Sequence, residues 1–285
     1  MKKILVTGGD GQLARCIKDV SSKYAEDFTF VYRNSLELNI ADEEAVSKEL
    51  EYGTYDYCIN CAAYTHVDNA EKEKEKAISV NHIGSKYLAI ACKKHGTMLL
   101  HISTDFVFNG IKRVPYTEED IEEPLSVYGS TKLLGEKEIK NNTFKYFIIR
   151  TSWLYSEYGH NFMKSMLKLG KEKEELSVVN DQIGTPTYAK DLAEVLLLFI
   201  VKENTDYGIY NYSNEGTASW YDFATAIFEI SNISVKVHPI PSKEYPLPAQ
   251  RPNFSVLDKA KIKEALKIEI PNWKDSLLKA CKTLN

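Results

Sequence analysis

No run in this chain of 285 residues approaches the ~18 consecutive apolar residues that a membrane-crossing helix requires. The most apolar segment, LAEVLLLFIV at 192–201, has the length of a buried helix. At the amino terminus, MKKILVTGG sets two lysines before only a short apolar run, which fits neither a secretion signal nor an anchor. Positive charge is nowhere concentrated. The 36 Lys and Arg against 40 Asp and Glu leave a formal charge of −4, and no stripe suited to a nucleic-acid backbone stands out. The five cysteines are odd in number, which without a secretion signal argues against a disulfide framework. Cys58 and Cys61 form a C-x-x-C, but it lies in YDYCINCAAY, a strand with its following loop, whereas redox pairs open a helix. No second Cys or His pair with zinc spacing follows. These absences predict a cytoplasmic protein with neither nucleic acid nor membrane as partner.

What remains is an ordinary globular composition, 44% hydrophobic and 27% charged. The charged stretch AEKEKEKAISV at 70–80 reads as the solvated face of a helix. Through the first half, β-like runs at 4–6, 28–32, 55–63, 97–104 and 145–153 alternate with helical patterns, among them 41–50, 75–95 and 126–140. Ser126 is a plausible N-cap of the last of these. The alternation predicts α/β architecture, a Rossmann-like doubly wound parallel sheet with helices on both faces. After about residue 153 the helices are separated by loops rich in Gly, Pro, Asn and Asp. ASWYDFATAIFEIS opens on Ser219 with Asp222 three residues on, the spacing of a capping box. PIPSKEYPLPAQRPNFS holds five of the nine prolines and reads as a loop. We expect a dinucleotide-binding domain over 1–152, to which 187–212 returns, and a smaller mixed α/β substrate lobe from 153–186 and 213–285.

Gly8, Gly11 and Ala14 form G-x-x-G-x-x-A directly after the first strand and at the opening of a helix. The first glycine permits a tight turn, the second lets a pyrophosphate approach the backbone, and the small third residue lets helix and strand pack. The helix start then offers N–H donors and partial positive charge to phosphates. An acid at the end of the second strand would select NAD by bonding the ribose 2′-OH. That strand ends VYRNS, without one, and Arg33 could instead meet a 2′-phosphate, so the residues lean to NADPH while leaving NADH open.

In SVYGSTK, Tyr128 and Lys132 stand four apart, on one face of a helix. A phenol titrates near ~10 and is inert at neutral pH unless its surroundings change that. A nearby ammonium stabilises the phenolate. The pair therefore has the spacing of an activated tyrosine.

Taken in order, TGGDGQLA, NCAAYTHVDNAE, ISTDFVFNG, YGSTKLLGE, RTSWLYSEYGHNF, DQIGTPT and RPNFSVLD span residues 7–258. Together they resemble the dTDP-4-dehydrorhamnose reductase family, extended members of the short-chain dehydrogenase/reductase superfamily. Tyr-x-x-x-Lys and the glycine turn mark only the superfamily; STDFVF, TSWLY and DQIGTPT are more specific. The resemblance implies reduction of the C4 ketone of dTDP-4-dehydro-L-rhamnose by NADH or NADPH, the last step toward an activated rhamnose for surface polysaccharide. It implies that Tyr128 protonates the carbonyl oxygen, that Lys132 lowers the phenol and bonds the nicotinamide ribose, and that Thr104 holds the same oxygen, with Ser103 as the alternative to Thr104.

Further positions carry over by resemblance. Gly8, Asp10, Gly11, Gln12 and Leu13 belong to the cofactor turn, the last three at the pyrophosphate. Asn39 and Ile40 lie near the adenine, and Ala62, Ala63 and Thr65 flank the cofactor ribose. Ser103, Thr104, Asp105, Phe106 and Trp153 face the sugar nucleotide, and Arg251 its diphosphate. Trp153 could equally be core and Arg251 a surface ion pair. The chain departs from the pattern at Ala14 for glycine, at Asn39 for aspartate and at Phe106 for tyrosine. Some members dimerise around Mg²⁺ held by glutamates; Arg15 stands in that region, so no metal is expected, and a homodimer stays open. Three rivals remain: a non-catalytic NADP-binding regulatory subunit, an epimerase or dehydratase, and a reductase of another 4-keto-6-deoxy sugar nucleotide. STDF offers only Asp105 where a dehydratase needs a carboxylate pair.

Overall fold

Six parallel strands form the central sheet of the computed structural model, which describes residues 1–284. From one edge to the other run the strand Gly208–Asn211, then β5 (Tyr146–Thr151), β4 (Met98–Thr104), β3 (Tyr57–Asn60), β1 (Lys2–Thr7) and β2 (Phe28–Arg33). All five pairings are parallel. Strand order reverses about β1, and a crevice outside the carboxyl ends of the strands is where such sheets take ligands.

Alternation along β1 explains the layers. Ile4 and Val6 point to one face, where they join Leu13, Ile17 and Val20 of α1 (Gln12–Ser21) and the apolar side of the helix Ala189–Val201. Leu5 points to the other, among Val46 and Leu50 of α2 (Glu43–Gly53), Leu88 and Cys92 of the helix Ser85–His95, and Ile139 of the helix Val127–Asn142. A strand buried on both faces must read as a continuous apolar run, as ILV at 4–6 does. Segment 260–270 also returns to the sheet core through Ile262, Leu266 and Ile270.

Between β3 and β4 lie α3 (Val67–Ala70), α4 (Lys74–Ala77) and α5 (Ser85–His95), and α6 (Val127–Asn142) precedes β5. The single helix expected over 75–95 is interrupted by a π-helical turn, Ile78–Gly84. α6 approaches this turn closely: a Cβ on Gly135 would stand 2.2 Å from the Asn81 carbonyl oxygen. Wide turns of this kind often accompany functional sites.

Ser126 caps α6 by accepting from the Gly129 N–H at 3.2 Å. Ser219 and Asp222 form the reciprocal capping box of the helix Trp220–Ile230. A second apolar core gathers Tyr155, Met163, Phe223, Ile227, Trp273 and Leu277. Beside it, Lys236–Ile240 pairs in parallel with Glu175–Val179. The proline-rich segment is therefore not loop throughout: its first two residues, Pro239 and Ile240, are strand. Pro239 is tolerated because a two-stranded pair is all edge, where a missing N–H need not break a ladder.

Candidate active site

Gly8 turns the chain at φ +64°, and a Cβ there would lie 2.7 Å from the Ala62 backbone nitrogen. The Gly11 N–H donates to the Gly8 carbonyl at 2.8 Å and closes the turn. Gly11 caps α1 without any side-chain hydrogen bond, which leaves the helix's first N–H groups open toward the crevice. Leu13 and Ala14 are buried behind them, and Asp10 is exposed. Open donors at a helix start, beside a turn only glycine tolerates, fit a dinucleotide pyrophosphate. Gln12 contributes backbone alone. Its side chain turns away, Nε2 donating to Leu154 O at 3.3 Å while Oε1 accepts from Ser156 and Asn161.

On the β2 side, Arg33 is held through Nε by Glu49 Oε1 at 3.0 Å, and Tyr55 donates to the same oxygen. Arg33 is thus held in an ion pair with Glu49. Asn39 is exposed and accepts from the Ala41 N–H at 3.1 Å, whereas Ile40 is buried. Ala62 and Ala63 are half-buried in the loop after β3, and Thr65 is exposed. Asn81 secures this loop: Oδ1 accepts from Tyr64 N at 2.8 Å, and Nδ2 donates to Tyr64 O and Thr131 Oγ1, both at 3.1 Å.

Beyond the turn, α6 brings Tyr128 against the end of β4. Phe106 packs edge-on against the Tyr128 ring with centroids 5.6 Å apart. Burial pushes the phenol up to about 12; the neighbouring Thr104 hydroxyl pulls the other way, and the Asp105 charge adds to the rise. This differs from the expected lowering by Lys132. The lysine amine is turned into the protein, where it donates to the Ile102 carbonyl and stands 3.2 Å from His101 Nε2. Burial brings Lys132 down to about 8, against the opposing charges of Glu136 and Cys61. At neutral pH the phenol is therefore fully protonated, the state a proton donor requires.

Thr104 Oγ1 donates to Asp105 Oδ1 at 3.0 Å. Asp105 is buried, its Oδ2 has no partner among the described residues, and burial raises its carboxyl to about 6 despite the opposing hydroxyls of Ser255 and Thr104. Ser103 is drawn elsewhere: it donates to Glu136, which Arg150 grips with Nε at 3.0 Å and Nη2 at 2.7 Å. Its hydroxyl is thereby committed to a buried ionic network, which leaves Thr104 as the hydroxyl beside Tyr128. Trp153 adopts φ +46°, a conformation a bulky residue holds only under strain, and stacks on Trp220 with centroids 3.5 Å apart. Arg251 is gripped by Asp68, with Nη2 to Oδ2 at 2.7 Å, so a substrate diphosphate would have to displace that carboxylate.

The family described as the RmlD substrate binding domain matches residues 1–285. The chain belongs to this family. A curated relative from Aggregatibacter actinomycetemcomitans, named dTDP-4-dehydrorhamnose reductase, is 42% identical over 97% of each chain. The spore coat polysaccharide biosynthesis protein SpsK of Bacillus subtilis is 41% identical over 97% of this chain and 96% of its own. A dTDP-4-dehydrorhamnose reductase from Bacillus anthracis, solved in complex with NADP, superimposes with a TM-score of 0.94 at 37% identity, covering 99% of this chain and 100% of that one.

In this member of the RmlD family, no group of three or more His, Cys, Asp or Glu among the described residues could hold a metal ion. Arg15 lies over the Tyr158 ring at 4.1 Å. Sequence reading missed Asn60, Asp68, Asn81, His101 and Trp220. A polar residue inside an otherwise apolar run, as in YCIN and MLLHIST, is the one signal that could have found Asn60 and His101.

Proposed function

We propose that this protein is a dTDP-4-dehydrorhamnose reductase, reducing the C4 ketone of dTDP-4-dehydro-L-rhamnose to dTDP-L-rhamnose with NADPH or NADH. The observation that carries the proposal is the placement of the buried Tyr128 phenol beside Thr104 and Asp105, at the end of a strand whose sheet also presents an α1 start with no side-chain cap. A nicotinamide cofactor, when bound, supplies the hydride. Tyr128 gives its proton to the ketone oxygen as that oxygen gains charge, and Thr104 steadies the same oxygen. Phe106 fixes the phenol ring by edge contact. Lys132, at the next turn of α6, stabilises the phenolate left behind. Asp105 Oδ2 accepts a sugar hydroxyl, Trp153 lies along the sugar nucleotide, and Arg251 exchanges Asp68 for the diphosphate. Gly8, Asp10, Gly11, Gln12 and Leu13 line the pyrophosphate, Arg33, Asn39 and Ile40 the adenosine, and Ala62, Ala63 and Thr65 the ribose.

By this reading the sheet-bearing lobe comprises 1–152 and 187–212, joined by 260–270, and the rest forms the substrate lobe. The protein acts in the cytoplasm, and its product feeds a surface polysaccharide. No helix among the described residues is long and apolar enough to cross a membrane. Incubation with NADPH and dTDP-4-dehydro-L-rhamnose, with the product's C4 configuration read by NMR, tests the assignment. Formation of dTDP-L-rhamnose supports it. Turnover only of another 4-keto-6-deoxy sugar nucleotide would replace the substrate, and no turnover of any would overturn the enzyme reading.

A further inference from the structure

A row of buried polar side chains crosses three strands of the sheet. Thr7 of β1 lies in register with Asn60 of β3, and Asn60 with His101 of β4. None of the three is more than 1% exposed. Thr7 Oγ1 donates to Asn60 Oδ1 at 2.6 Å, Asn60 Nδ2 stands 2.9 Å from His101 Nδ1, and His101 Nε2 stands 3.2 Å from Lys132 Nζ. The row therefore ends on the lysine of the Tyr128 pair.

Its direction is fixed at the far end. The Ala62 N–H points at Asn60 Oδ1, 3.2 Å away, and at the longer distance of 3.4 Å also reaches Thr7 Oγ1. A backbone N–H can only donate, so exchanging the oxygen and nitrogen of this amide would set two donors face to face. Asn60 accordingly presents its NH₂ to His101, and Nδ1 must accept. Burial, followed by the nearby Lys132 charge, holds the imidazole neutral, well below its ordinary range. A neutral ring accepting at Nδ1 carries its proton on Nε2. That proton points at Lys132 Nζ, which can receive it only as an amine, through its lone pair, while donating to the Ile102 carbonyl.

We propose that His101 is the positioning residue of Lys132, the last link of a hydrogen-bond chain from Thr7 through Asn60 that is polarised toward the lysine nitrogen. In the amine state the chain holds that nitrogen between Ile102 O and His101 and leaves one N–H for the crevice. Protonation of Lys132 removes the lone pair. His101 must then move its proton to Nδ1 and Asn60 must turn over, giving up its own bond from Ala62 and leaving that N–H only the longer contact to Thr7 Oγ1. The groups that face Lys132 are Glu136 on its own helix, Cys61 after β3, and His101 and the Ile102 carbonyl on β4. Glu136, clamped by Arg150, favours the ammonium, so the chain and Glu136 pull in opposite directions.

The inference rests on Lys132 serving the proton-donating pair, but its deciding readout, the His101 tautomer, needs no substrate. The ¹⁵N shifts of the His101 ring are read in the wild type at a pH above the lysine's titration. The expected tautomer is Nε2–H with a bare Nδ1; Nδ1–H or an imidazolium there would overturn the proposal. In Asn60→Asp the carboxylate can only accept. His101 should then switch to Nδ1–H, and the alkaline limb of kcat/KM should move up by about one pH unit or more. A folded Asn60→Asp protein whose His101 keeps its tautomer contradicts the chain. Should that variant not fold, the wild-type spectrum decides alone. Loss of turnover on every keto-sugar would strike the reductase reading and leave the tautomer result standing.

Discussion

Arg251 and Asp68 form a two-pronged ion pair between the C-terminal loop and α3, Nη1 to Oδ1 at 3.1 Å and Nη2 to Oδ2 at 2.7 Å. The same loop goes on to pack Pro252 against Gly110 and to bring Ser255 to Asp105. If the guanidinium passes from Asp68 to a diphosphate, Arg251→Ala should raise KM about ten- to a hundredfold, the worth of a charge-assisted hydrogen bond. Its effect on kcat should be small. Asp68→Asn, which frees the arginine, should lower KM. An Arg251→Ala enzyme with unchanged KM would mean that the pair only ties the loop down.

Asp105 makes stability depend on pH in an unusual direction for a carboxylate. Its folded value is raised to about 6 by burial, above the ordinary ~3.9. A raised carboxyl costs nothing below pH ~4, where both states are protonated, and penalises the fold as pH climbs through 6 and the buried group ionises. The full penalty is about 3 kcal/mol above that window. In urea titrations the wild type should lose stability between pH 4 and 7 relative to Asp105→Asn. Parallel curves for the two proteins would show that the carboxyl is not displaced.

Gly8→Ala tests the phosphate turn. The substitution meets both a positive φ and a backbone contact at 2.7 Å. The conformation alone costs about 1–3 kcal/mol. A lower melting temperature, together with loss of NADPH binding by fluorescence titration, is expected. Wild-type affinity in the variant would remove the turn from the cofactor site.

Asn81 bonds both backbone groups of Tyr64 from the π-helical turn. Asn81→Ala leaves those groups short of partners at about 1–3 kcal/mol each. Hydrogen exchange at Tyr64 and its neighbours should accelerate in the variant. Unchanged protection there would show that the loop is held by other contacts.

Much of this arrangement is written locally in the chain. The parallel sheet follows from alternating apolar strands and helical patterns, and the caps at Ser126 and Ser219 from residue type and spacing. Tyr128 and Lys132 share a helix, so their common face is visible in four residues. Where Lys132 points is not. His101 lies 31 residues away on β4, and only the pairing of β3 with β4 sets Asn60 beside it. The spacing of Tyr128 and Lys132 suggested that the lysine's charge governs the phenol, whereas burial, Thr104 and Asp105 do. Ser103 and Thr104 are neighbours in sequence with opposite fates, because successive side chains of a strand leave it on opposite sides. The π-helical turn packs against Gly135, more than fifty residues downstream, and no local pattern announces it.

The central claim is that Tyr128 donates the proton in reduction of a keto-sugar nucleotide. The most direct test compares wild type with Tyr128→Phe in NADPH oxidation driven by dTDP-4-dehydro-L-rhamnose, with the NADPH Kd measured alongside. The account predicts wild-type turnover and a loss of about 10²–10⁴-fold in kcat for the variant, at unchanged Kd. A Tyr128→Phe enzyme within a few-fold of wild type would contradict it.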